Sequence, residues 1–129
     1  MSIGVWEPGP KKKGGSLATE HLQQLADQFE HADVDNLAAS MTLSGEQWLM
    51  TLERESWQIA ADLDDVTIIN LVRFFTLVEM QIAGWDAGNK SPVIPLVKIL
   101  KARDSFPSDL RKWIKKNTEN RYLPNGSAL

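Results

Sequence analysis

The stretch from Val66 to Trp85 constrains this chain more than any other feature. Ile68, Ile69, Leu71, Val72, Phe74, Phe75, Leu77, Val78, Met80 and Ile82 leave it almost no polar side. The apolar positions do not alternate strictly, and the run is too long for one strand. A helix that is apolar on most sides is buried on most sides. The spacing therefore predicts a central helix over 66–85, with Asp64 or Asp65 as its cap. Acids at that end also suit the positive pole of the helix dipole.

The other segments read as helices able to surround it. Leu22, Leu25, Ala26 and Phe29 follow the i, i+3, i+4, i+7 stripe of a first helix, with Ser16 as its expected N-cap and His31 and Asp33 at its end. A short helix follows over Asn36–Met41, capped by Asp33 or Asp35. Ser44-Gly45-Glu46-Gln47 fits a capping box before an apolar run. Leu49, Leu52, Ser56, Ile59 and Leu63 then share one face to about Asp62, with a break expected near Ser56. Ser91 followed by Pro92 marks the next helix start, and Val93, Leu96, Val97 and Leu100 form its stripe. Pro107 opens a last helix in the same way, burying Leu110, Trp113 and Ile114.

The expected fold is all-α: a single bundle of five or six helices around the 66–85 helix. Residues 16–118 make the domain. Residues 1–15, with Pro8, Pro10, Lys11–Lys13 and Gly14-Gly15, read as a flexible tail. Trp6 within it either folds back or docks a partner. Residues 119–129, which include Leu123-Pro124-Asn125-Gly126, read as irregular chain. In 129 residues there is room for one domain.

Composition removes several chemistries. The chain has no cysteine, so disulfides, thiolate metal sites and cysteine nucleophiles are excluded. No window reaches the roughly 18 apolar residues of a membrane-spanning helix, and the first residues lack the apolar core of a secretory signal. A cytoplasmic protein is expected, with no membrane partner. The net charge of −3 conceals a split: residues 16–65 carry eleven acids against Arg54, whereas residues 66–129 carry ten bases against five acids. The two halves either attract each other inside the fold, which is the expected case, or present two faces to partners.

Motifs for catalysis are sparse. Gly84-Trp85-Asp86-Ala87-Gly88-Asn89-Lys90-Ser91 approaches a phosphate-binding loop, but Asn89 stands where the second glycine belongs and a helix precedes it. Lys90 and the amides at the start of the Ser91 helix retain a weaker capacity to hold an anion. His21 and His31 lie ten residues apart, on opposite sides of one helix at about 100° per residue, so they share no metal there. No metal or cofactor is indicated. Arg73 and Glu79 are the charges within the most apolar helix and must each find a partner or an edge. No G-x-S-x-G elbow is present, and no catalytic residue is assigned.

Two surfaces remain as candidates. Trp85, Asn89, Lys90 and Ser91, with Trp113, Arg121, Tyr122 and Leu123, form the expected site for a protein partner. Of the five tryptophans, Trp85 is the one expected at a groove rim, while Trp48, Trp57 and Trp113 are expected in the core. Lys98, Lys101, Arg103, Arg111, Lys112, Lys115 and Lys116 form a basic patch suited to phosphate contacts. The expected function is a protein-interaction or adaptor module. The alternatives are a nucleic-acid-associated protein using the basic patch and a small enzyme with a polar pocket near Glu79 or Lys90.

Overall fold

In a computed structural model of the chain, which describes residues 17–120 and 122–123, the apolar run begins where its cap does. Asp64 is extended, and its Oδ1 accepts the Thr67 N–H at 2.8 Å. The resulting helix, α3 (Asp65–Gln81), buries Ile68, Leu71, Val72, Phe74, Phe75 and Val78 almost completely. It packs against α1 (Thr19–Glu30), α2 (Leu37–Ser40), α4 (Val93–Ala102) and α5 (Ser108–Asn117). Among the described residues there is no strand, so the fold is all-helical with α3 at its centre. No helix among them is long and apolar enough to cross a membrane.

α1 and α4 bury the stripes their spacing predicts, and α5 does so in part. α1 turns Leu22, Leu25, Ala26 and Phe29 inward, and Phe29 meets Phe74 edge-on at 6.1 Å. α4 buries Val93, Leu96, Val97 and Leu100. Ser91 acts as its true cap: its Oγ accepts the Val93 N–H at 3.2 Å, and Pro92 already has helical dihedrals. α5 buries Leu110 and Ile114, whereas Trp113 is only half-buried.

Several boundaries differ from expectation, each for a local reason. α3 stops at Gln81 rather than Trp85. Its last side chain is drawn into a clamp, Gln81 Oε1 accepting the Leu37 N–H and Nε2 donating to the Val34 carbonyl. The cap of α2 is Asn36, not Asp33 or Asp35, because the Asn36 Oδ1 takes the Ala39 N–H. Pro107 is the extended residue before α5 rather than its first helical one. The segment after Ser44 is not one α-helix but two 3₁₀ helices, Gln47–Thr51 and Arg54–Asp62. Gly45 has φ +80°, and the first of them starts from Glu46 without a side-chain cap, so the capping box does not form. The break falls at Leu52-Glu53 instead of Ser56. There the Thr51 hydroxyl donates to the Trp48 carbonyl at 2.7 Å, competing with the backbone ladder. Residues 1–16, 121 and 124–129 lie outside the described residues, and with them the expected tail, Trp6, the Ser16 cap, Arg121 and the Pro124-Asn125-Gly126 turn.

The end of α4 carries a testable strain. Asp104 has φ +57°, the Ser105 N–H donates to the Leu100 carbonyl at 2.8 Å, and the Asp104 N–H donates to the Lys101 carbonyl at 3.0 Å. These two bonds define a Schellman end, where glycine is the favoured residue. An aspartate also places negative charge at the negative pole of the helix. Asp104→Gly is expected to raise unfolding free energy by about 0.5–1 kcal/mol in chemical denaturation; a loss of stability would contradict this account of the turn.

Candidate functional site

Three arrangements could carry function: a buried polar cluster on α3, an open groove beside α4 and the exposed face of α5.

The buried cluster is built around Glu79, which is 6% exposed. After α3, Gly84 turns the chain with φ +90°, and its carbonyl accepts from Gln47 Nε2 at 2.7 Å. A Cβ at Gly84 would stand 2.9 Å from that amide nitrogen and displace the Gln47 side chain, while the positive φ itself favours glycine. The turn sends Trp85 back against Phe74, with ring centroids 6.5 Å apart. The following 3₁₀ turn, Gly88–Lys90, brings Ser91 to the Glu79 carboxylate. Ser91 Oγ donates a hydrogen bond to Glu79 Oε2, while Oε1 accepts from the Ala87 N–H and from Asn120 Nδ2, both at 3.3 Å. The same Asn120 amide donates to the Gly88 carbonyl at 2.9 Å. Burial pushes the Glu79 carboxyl above its usual range, with a small push in the same direction from Asp86, and the three donors pull the other way.

This cluster answers two expectations. The loop that resembles a phosphate cradle is already occupied by the protein's own Glu79 carboxyl group. Lys90 is taken up as well, with Nζ 3.0 Å from Glu53 Oε2. The cluster joins the 84–91 loop to Asn120, and it does so internally. Trp85 is 4% exposed, and Ser91 and Leu123 are fully buried. Trp85 is therefore core, not a groove rim. Asn89 remains exposed, and its carbonyl accepts from Arg54 Nη2 at 3.0 Å. Tyr122 is half-buried, its N–H donating to Asn120 Oδ1. Trp113 stays half-buried with the Arg73 guanidinium 5.1 Å from its ring centroid, which is how the second charge of α3 is accommodated.

The basic residues divide by role. Arg103 donates to Asp65 Oδ1 at 2.8 Å and to the Ala61 carbonyl at 2.6 Å, tying the end of α4 to the start of α3. Hydrogen bonds from Arg103 and Ser105 hold the Asp65 carboxyl below its usual range. Lys101 Nζ lies over the Phe106 ring at 5.6 Å. Two ion pairs, Glu53–Lys90 and Asp65–Arg103, thus join the acidic and basic halves. Arg111, Lys112, Lys115 and Lys116 are different. All four are exposed on one side of α5, together flank a shallow surface depression, and enter no ion pair among the described residues.

The groove was not legible in the sequence. It lies between the 3₁₀ helix Arg54–Asp62 and α4 and has a volume of about 520 Å³. Its floor includes Ile94 and Pro95, which are buried, and Trp57, which is fully buried. Lys98, from the expected basic patch, stands at its edge.

His21 Nε2 lies 2.9 Å from Glu46 Oε1 and packs edge-on against Trp48, whereas His31 ends α1 in the open. Among the described residues no three acidic or histidine side chains gather to hold a metal ion. Comparisons of the chain with protein-family models, with curated proteins and with solved structures find no match.

Proposed function

We propose that the chain is a protein-interaction module that takes an acidic partner segment on the exposed face of α5. One observation carries the reading. Lys90 and Arg103 of the second half are paired with carboxylates, while Arg111, Lys112, Lys115 and Lys116 form an exposed cationic face that enters no ion pair among the described residues. The helix beneath is fixed by Leu110 and Ile114, so the four charges sit on a rigid support. Such a face steers an oppositely charged partner and sets its register. The net charge of −3 weighs against nucleic acid as that partner, since a polyanion must approach a protein that is acidic as a whole.

The test uses the full chain as bait in nuclease-treated lysate, beside the variant R111E/K112E/K115E/K116E. The reading expects a protein retained by the first and lost from the second. Retention that ignores the charge reversal contradicts it. Retention found in a parallel untreated lysate but absent from the treated one moves the same face to nucleic acid, where affinity would fall steeply with added salt.

A further inference from the structure

The groove beside α4 combines features that the α5 face does not use. In a 3₁₀ helix residues three apart eclipse, so Glu55, Gln58 and Ala61 form one column of its wall and Arg54 and Trp57 another. The facing wall comes from α4, where Pro95, Ile99 and Ala102 recur at helical spacing. Trp57 is fully buried, and its Nε1 has no hydrogen-bond partner among the described residues. Indole N–H is a donor only, and a buried donor without an acceptor is a standing cost that the great majority of native donors avoid. At the rim, Lys98 enters no ion pair among the described residues, and Arg54 gives one Nη2 bond to the Asn89 carbonyl. Glu55 is the single acid of the lining, so the rim carries net positive charge. The volume of about 520 Å³ falls within the span of small-molecule sites, roughly 300–1,000 Å³.

We infer that this groove is a binding site for a small apolar monocarboxylate. The apolar body lies along Ile94, Pro95 and Ile99, over the buried Trp57 ring, and the carboxylate is drawn by Lys98 and Arg54. One negative charge matches the excess of one cation at the rim, whereas a cationic or dianionic ligand does not.

Octanoate titrated into protein labelled with ¹⁵N at the indole nitrogens tests this, with octylamine as the cationic control. The Trp57 cross-peak is identified by its NOEs to the Phe75 ring, whose centroid lies 5.3 Å away. The expected result is a saturable shift of that cross-peak with octanoate and none with octylamine. Lys98→Glu, at an exposed position, should weaken octanoate about fivefold. Ala61→Trp, also exposed, should fill the groove and remove the shift. Reversal of the four α5 charges should leave the shift in place, so failure here and failure of the α5 reading are separable. The inference is overturned if the Trp57 cross-peak does not move, if octylamine moves it equally, or if Ala61→Trp binds octanoate as the parent does.

Discussion

Phe75→Ala is expected to remove about 3–5 kcal/mol of stability, among the largest effects of any single truncation in the core. Phe75 is fully buried on α3 and meets Trp57 edge-on at 5.3 Å and Phe74 at 4.8 Å. Truncation loses the transfer free energy of the ring. It also leaves a cavity whose walls are two other aromatic rings on packed helices, which cannot close over it. A domain of this kind has about 5–15 kcal/mol in total, so the variant should stand near the edge of folding. Phe75→Leu keeps most of the volume and should cost under about 2 kcal/mol. Val66 lies on the same helix but is 63% exposed, and Val66→Ala should be close to neutral. Urea denaturation of the three variants measures the contrast. A cost below about 1 kcal/mol for Phe75→Ala would mean that α3 is not the centre of the core.

The second large effect belongs to Glu79→Ala. It would strand the Ser91 hydroxyl, the Ala87 N–H and the Asn120 amide together, three donors that converge on one carboxylate. Each stranded buried donor costs about 1–3 kcal/mol. Partial relaxation of the Asn120 segment, which retains its bond to the Gly88 carbonyl, should hold the total to about 2–4 kcal/mol. The pH dependence has a definite sign. Burial raises the folded-state pKa of Glu79 above its unfolded value, so in the interval between the two the folded chain holds a proton that the unfolded chain has released. The stabilisation is complete below the unfolded value and is lost as pH rises through the folded one. Glu79→Gln cannot titrate. The stability of the parent relative to Glu79→Gln should therefore decline as pH climbs through that interval, read from denaturation at a series of pH values. A difference that grew with pH would show that the three donors, not burial, dominate the carboxyl.

What the sequence revealed follows from the range of the forces involved. The stripes of α1, α3, α4 and α5 are local patterns, and each side chain in them needs only its own helix to know which way to face. The Asp64 cap and the Ser91-Pro92 start are equally local. The 3₁₀ helices escaped because apolar residues three apart, such as Trp57 and Ala60, satisfy a period of 3.0 nearly as well as 3.6. Trp85 escaped because a turn at Gly84, with Gln47 closing over it, decides where the ring goes. The partners of Glu79 stand 8, 12 and 41 residues away, beyond any spacing rule. The cationic face of α5 was legible within one helix. The groove was not, since its walls belong to segments about forty residues apart that only packing brings together.

The central claim, that α5 presents a docking face for an acidic protein segment, is tested most directly by crosslinking in the cell. A photoreactive amino acid placed at Lys112 or Lys116 should form a discrete adduct with a protein whose linked peptide is rich in Asp and Glu. The same probe at Gln24, exposed on α1, should not form it. Adducts of equal yield from Gln24, or no protein adduct from either α5 position, would contradict the account.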